Sequence, residues 1–479
     1  MSVPDLGTIL TPTRAEVSRR RIRRSGRGTT QRGSTRSSGS IAALLLAIAG
    51  LLASIAFISG VSSVRAAELD PSSSPDPTPP PLATIVFYGH GYGHGVGMSQ
   101  YGARGRALAG QDAATILAHY YQGTILGTTN PNRPVRILVL QAFVASPDRP
   151  LRLYGRSGPW TIDGIADVFP SDAQLRVTKI GTGFRAVVRD AGGAVLLDTQ
   201  TKGTIRLRPT VPATGRIQVF SKPSAYDLYR GVIRLRARSH GIDVIDETTL
   251  DLYVRGVVPV EMPAGWPIEA LRAQAIATRS YAAHRLHPKT GFYDLYDDGR
   301  TQVYRGSRAE RAATNRAIAD TSGIVLRNGL SIANTLFSST GGGATENNEN
   351  VFTTATGQIV AGPVPYLRGS ADVAPDGTPY DADAPRASWQ TAAYTLDQLS
   401  AFFAADDRTN VGTLTALDLS SVGVSGRLIR VTLTGSLGTK TVSGAVFRSV
   451  FNAQTPAADP YMWSTLVSTS PIPAPAPTG

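Results

Sequence analysis

Glycine occupies every second position from Gly89 to Gly97, in the stretch GHGYGHGVGMSQYGA at residues 89–103. In an extended chain successive side chains point to opposite faces of the backbone. A strand of this sequence therefore carries His90, Tyr92, His94, Val96 and Met98 on one face and only hydrogen on the other. Glycine packs nothing in a strand and costs stability there, so five in alternation require that something approach the bare face closely. A ligand surface or a neighbouring stretch of backbone would each satisfy that requirement.

The rest of the chain has the means to fold around this feature. It is 479 residues long, 42% apolar and without cysteine. A chain of this size needs no disulfides to sustain a core. Thiolate metal sites and cysteine nucleophiles are excluded. The formal net charge is +13, but residues 1–40 hold nine arginines against Asp5 and Glu16 and supply seven of those charges. The remainder is mildly basic and carries no helix-turn-helix, zinc-finger spacing or aromatic RNA-binding motif, so no nucleic-acid partner is expected.

Residues 41–59, IAALLLAIAGLLASIAFIS, form an unbroken apolar run long enough to cross a bilayer. The arginines before it place the N-terminus in the cytoplasm. Val64 and Ala66 stand at signal-peptidase spacing, so residues 41–60 read as a cleaved signal or a retained anchor, and the body is exported under either reading. Residues 61–82 form a proline-rich linker, and residues 453–479 read as a loose tail.

Between these ends the expected class is α+β, one large strand-rich body with a few helices. Residues 83–130 pair the glycine strand with a helix that begins near Ser99, breaks at Gly110 and restarts at Asp112. Residues 131–250 are mostly strands, of alternating or apolar runs between Gly, Pro and Asp turns. In residues 251–452, YVRGVVPV (253–260) reads as a strand. Residues 266–286 read as the strongest helix, with Pro267 at its first position. A hairpin is expected to turn at Asn328–Gly329.

Several chemistries fail on the residues. GMSQYG departs from the nucleophile elbow because Tyr101 stands where glycine is required, and Ser99 reads as a helix cap. His90 and His94 would lie roughly 13 Å apart on a strand, too far for one zinc ion, and no HExxH occurs. GSLGTKT at residues 435–441 lacks the glycine a phosphate loop needs before its lysine. Neither metal nor cofactor is expected. Glu261 is the better candidate, at an element's end and flanked by Val260, Met262, Pro263 and Trp266. Apolar neighbours desolvate a carboxyl and raise its pKa, as a general acid at neutral pH requires.

GVVPVEMPAGWPIEALRAQAIATRSYA, TQVYRG, LFSSTGGGATEN, VPYLRG and GHGVGMSQYGARGRALAGQDAATILAHYYQGT together resemble the SpoIID/LytB family, stage II sporulation protein D and its relatives. The resemblance covers nearly all of residues 86–450. It implies action on bacterial peptidoglycan, at the membrane or in the wall. One branch consists of lytic transglycosylases that cut glycan strands lacking stem peptides. The other stimulates a cell-wall amidase. The family's catalytic glutamate falls on Glu261. In the family the GHGxGMSQYGA segment closes the domain, whereas here it comes first, so the order reads as a circular permutation. The glycine segment is then expected beside Glu261, its bare face against sugar. His94, Ser99, Gln100 and Tyr101 are expected to bind glycan from one wall of a cleft. Gln274, Arg279, Gln302, Tyr304, Ser338 and Ser339 are expected to form the opposite wall.

Overall fold

Between Pro134 and Thr249 the period-2 alternation of apolar and polar residues builds two facing sheets. The computed structural model describes residues 84–286 and 291–473, all within one compact unit. The arginine-rich tail, the apolar run at 41–59 and the proline-rich linker lie outside the described residues. The first sheet has seven strands, in the order Leu295–Tyr296, Pro134–Phe143, Ile242–Thr249, Val232–Ala237, Thr204–Pro209, Trp160–Ile162 and Val168–Phe169. The second has six: Val195–Thr201, Gly183–Arg189, Gln174–Ile180, Leu151–Arg156, Arg216–Gln218 and Leu228–Tyr229. Pairing is antiparallel except for Leu295–Tyr296, which runs parallel to Pro134–Phe143.

The inward residues of both sheets close one core. Leu151, Leu153, Leu175 and Val177 come from the second sheet, and Ile205, Leu207, Ile233 and Leu235 from the first. Burial at alternate positions fixes the register, because a slip of one residue would turn every apolar side chain outward.

Seven helices of eight residues or more stand among the described residues: α1 (Gln100–Leu108), α2 (Ala113–Tyr120), α3 (Leu250–Glu261), α4 (Ile268–Arg285), α5 (Ala312–Asp320), α6 (Leu396–Ala404) and α7 (Gly444–Gln454). The caps of the first two are those the sequence indicates. Ser99 Oγ accepts from the Gly102 N–H at 3.0 Å, and Asp112 accepts from that of Thr115 at 2.8 Å.

Helix α3 corrects the expected strand at 253–260. Its valines are β-branched and favour strands by composition. Yet Leu250, Tyr253, Val254, Val257 and Val258 are its buried apolar side chains, at helical spacing. That stripe seats α3 on the sandwich, and packing overrides propensity.

Two further cores flank the first. The second gathers Val96, Met98, Tyr120, Tyr121, Met262, Leu271, Ile276 and Leu336. The third gathers Phe87, Val431, Leu433, Phe447, Phe451, Met462 and Val467. The last two residues correct the reading of 453–479 as a loose tail. Through Pro473 the chain is described, and Val467–Ser468 pairs with Tyr88–Gly89. The prolines of 456–473 mask the apolar Met462, Leu466 and Val467 that hold it down.

The glycine run is not the extended strand expected. Only Tyr88–His90 is strand, and Gly91, Gly93, Gly95 and Gly97 all adopt positive φ, at 75°, 112°, 74° and 71°. Left-handed backbone is what glycine alone adopts without penalty, so the alternation reflects a looping path. The bare positions face protein. A Cβ on Gly95 would lie 2.2 Å from the Arg427 guanidinium carbon, and one on Gly97 would lie 2.1 Å from the Leu336 carbonyl oxygen. Protein side chains and backbone, and not sugar, fill this face.

Candidate functional site

Glu261 is the last residue of α3, and the chain turns there toward α4. Val258, one turn before it, belongs to the first core, and Met262, the next residue, to the second. Glu261 thus stands at the seam between two packed bodies. The Met262 N–H closes the helix on the Val258 carbonyl at 2.9 Å. Val260 beside it is 40% exposed, so the seam reaches the surface.

Glu261 is half-buried as a residue, and desolvation of its carboxyl raises the pKa above the ordinary glutamate range. The C-terminal end of α3 also disfavours negative charge there. One interaction opposes the rise: Gln100 Nε2 donates to Glu261 Oε2 at 3.0 Å. Gln100 opens α1 and is itself only 6% exposed, so the amide is held and aimed. A further 161 residues of chain separate the two.

The glycine segment and the Ser338–Ser339 segment are not opposite walls. They form a single ladder: Phe337–Ser338 pairs in parallel with Met98–Ser99. Ser338 Oγ accepts from the Gly95 N–H at 3.2 Å, and the Ser339 carbonyl accepts from the Tyr101 N–H at 3.0 Å. Ser99 is buried, its Oγ also accepting from the Gly341 N–H at 3.1 Å. His94 turns inward. Its Nδ1 accepts from the Val96 N–H at 3.0 Å, its ring centroid lies 5.8 Å from that of Phe352, and desolvation with the Arg427 charge lowers its pKa to about 4. Tyr101 remains half-exposed, its ring 4.8 Å from that of Trp266 in the loop that follows Glu261. Gln100, Tyr101, Glu261 and Trp266 are the residues brought together at the surface.

The other expected wall residues divide. Arg279 is fully buried and spent on structure, paired with Asp251 at 2.5 Å and donating to the Ile324 and Ile318 carbonyls. Tyr304 lies in the first core between Tyr229 and Tyr253, its hydroxyl donating to Asp246 at 2.8 Å. Both correct the expectation of ligand-facing groups. Gln302 and Gln274 are also buried, but each keeps one polar atom without a partner among the described residues, Gln302 Nε2 and Gln274 Oε1. Gln302 accepts from the Tyr253 hydroxyl at 3.1 Å, and burial raises the pKa of that phenol, with the nearby Tyr281 and Glu261 adding to the rise.

Sequence reasoning missed Asp381 and Asp372, both fully buried. Asp381 accepts from the Gly342 and Gly343 N–H groups at 2.8 and 3.1 Å and from the Ser99 and Thr340 hydroxyls. It fixes the ladder behind Gln100. Asp372 accepts from Arg106 at 2.9 Å and from the Tyr120 hydroxyl at 2.6 Å, tying α1 to α2, and burial lifts its pKa to about 6. A surface pocket of about 370 Å³, lined by His90, Ser370, Ser425 and Leu466 among others, shares no lining residue with the Glu261 site.

Residues 238–327 match the family described as SpoIID, Stage II sporulation protein. That stretch holds Glu261, Gln274, Arg279, Gln302 and Tyr304, and excludes the Gln100 and Ser338 segments packed beside it. The chain is 37% identical over 129 residues to an uncharacterized protein of Brachyspira hyodysenteriae, covering 26% of this chain and 33% of that relative. It is 37% identical over 108 residues to the amidase enhancer of Bacillus subtilis, covering 22% of this chain and 14% of the relative. It is 31% identical over 162 residues to the stage II sporulation protein D of the same organism, covering 30% and 42%. The chain thus spans less than half the length of each of these relatives.

Proposed function

The chain belongs to the SpoIID/LytB family, and from that premise we propose that it is a cell-wall enzyme, a lytic transglycosylase acting on MurNAc–GlcNAc bonds of glycan strands with Glu261 as its acid and base. The observation that carries the reading is the pairing of a desolvated carboxyl with a single fixed amide. Because Gln100 occupies Oε2, the proton belongs on Oε1, the oxygen left for a substrate. Protonated Glu261 gives that proton to the glycosidic oxygen as the C1–O bond breaks. The resulting carboxylate takes a proton from the C6 hydroxyl, whose oxygen closes on C1 as a 1,6-anhydro ring. Glu261 ends as it began, reprotonated. Water is not consumed, so no second carboxylate is needed to activate it. Tyr101 and Trp266 supply aromatic surface on which a sugar face can rest.

The permuted order supports the same site. A segment that begins the described chain packs against a glutamate far along it, as neighbouring termini allow. We place the protein outside the cytoplasm, in the envelope.

The resemblance to an amidase enhancer favours a second reading, in which the Glu261 seam binds glycan without cleaving it and recruits an amidase. Incubation with peptide-free glycan strands, alone and with a purified cell-wall amidase, separates the two. Chain shortening by the protein alone supports the enzyme. Acceleration of the amidase without any shortening supports the modifier.

A further inference from the structure

The outer face of the six-stranded sheet carries Arg152 and Arg156, Arg176, Arg185 and Arg189, and Arg216, from four of its strands. The outer face of the seven-stranded sheet also carries arginines, and the two differ in how they are neutralised. There Arg136, Arg206, Arg208, Arg234, Arg236 and Arg238 all stand in ion pairs with Asp294, Glu247, Asp163 or Asp243. On the six-stranded face, only Arg156 and Arg185 are paired, with Asp172 and Asp198. Arg152, Arg176, Arg189 and Arg216 have no ion pair among the described residues.

Register sharpens the contrast. Arg152 stands directly opposite Arg176, and Arg156 directly opposite Arg216. Like charges placed opposite each other on a sheet destabilise it. On the seven-stranded sheet the one such pair, Arg206 and Arg234, is bridged by Glu247. On the six-stranded sheet Asp172 reaches Arg156 alone, and no carboxylate among the described residues bridges either pair. The face also presents aromatic plates. The Arg152 guanidinium lies 4.6 Å over Phe220 and that of Arg156 lies 4.3 Å over Tyr154, with the two rings 5.5 Å apart. Phe220 is 41% exposed. Stacking holds both guanidinium planes; the Arg156 edge is taken up by Gln218 and Asp172, while the Arg152 edge has no hydrogen-bond partner among the described residues and is open to donate.

We propose that this face docks a linear envelope polymer of alternating polyol and phosphate. Phosphates supply the missing counter-charges at the unpaired arginines, and polyol carbons lie on Tyr154 and Phe220. The face lies outside the matched residues 238–327, and the inference leans on the proposed function only for placing it in the envelope. It would set the protein along a wall strand while the Glu261 seam works independently.

The test measures binding of poly(glycerol phosphate) to the full chain at stepped salt, in wild type and in Arg152→Glu/Arg176→Glu. The N-terminal arginines are present in both, so the difference reports the face. The expected result is at least about tenfold weaker binding in the variant, with a log–log salt slope shallower by about one to two. Equal affinity and slope in the two proteins would overturn the proposal. So would tighter wild-type binding to duplex DNA or to phosphatidylglycerol vesicles than to the polyol phosphate. If the charge reversal unfolds the sheet, Arg152→Gln/Arg176→Gln supplies the same comparison, and its binding must fall in the same direction. Binding is read without reference to cleavage, so failure here leaves the Glu261 reading standing, and the reverse holds.

Discussion

Gln100 and Glu261 meet across the seam of two cores, the amide donating to carboxylate Oε2 at 3.0 Å. The bond favours the ionised carboxylate and so restrains a pKa that burial pushes up. In Gln100→Ala the restraint is gone and the carboxyl titrates higher. A general acid must be protonated, so the descending limb of the pH–rate profile on glycan strands should move to higher pH. The plateau rate should fall roughly ten- to hundredfold, the cost of one hydrogen bond to a charged group. A limb that stays in place or moves to lower pH would show that the amide does not tune Glu261.

The same shift has a consequence for stability. A carboxyl whose folded pKa is raised destabilises the fold once the pH exceeds its unfolded pKa, because the unfolded chain ionises more readily. Glu261→Gln removes that burden. Denaturant unfolding should find the variant at least as stable as wild type at pH 7, with the difference shrinking as pH falls toward 4.5.

Asp246 makes a larger case. Burial lifts its pKa from 3.8 to about 7, with the Tyr304 hydroxyl as its hydrogen-bond donor. Between those values the folded chain holds a proton that the unfolded chain has lost, so stability from this group declines as pH rises from about 4 to about 7. Asp372 adds a similar decline ending near 6. Asp246→Asn keeps an acceptor for Tyr304 and should flatten the upper part of the slope, leaving the variant more stable than wild type at pH 8. An unchanged slope would count against a proton on Asp246.

Gly97→Ala should destabilise the protein by about 3 kcal/mol or more, combining a left-handed φ with a Cβ driven onto a backbone carbonyl that cannot swing away. Gly110→Ala, also at positive φ but with open space around it, should cost only about 1–2 kcal/mol. Denaturant midpoints for the two variants check the ordering. Equal losses would mean that the tight fit at Gly97 contributes nothing.

What the sequence revealed and what it hid follow from range. Caps and turns are local chemistry: Ser99 and Asp112 cap where side-chain hydrogen bonding dictates, and the expected hairpin forms with its turn one residue later than Asn328–Gly329, at Gly329–Leu330, where Gly329 takes positive φ. Class was legible from the alternation in residues 131–250. The nature of α3 was not, because its valines favour strands and only the sandwich beneath selects the helical stripe. The glycine alternation was visible, but its cause was misread: period 2 describes a strand and equally a path of repeated positive φ. Glu261 was singled out by its apolar neighbours, while its partner Gln100 came from the family resemblance and not from proximity. Arg279 and Tyr304 resemble ligand-binding residues in sequence, and burial in the fold shows them bracing it. Asp381 could not be found without knowing which chain segments share the ladder.

The central claim is that one carboxyl, at Glu261, does all the proton transfer of a bond cleavage without water. Peptide-free glycan strands incubated with the wild-type chain and with Glu261→Gln, followed by mass spectrometry of the fragment ends, test it most directly. The expected result is 1,6-anhydro ends from wild type and a loss of about a hundredfold or more in the variant. Reducing ends carrying an added water, or anhydro ends produced equally by Glu261→Gln, would contradict it.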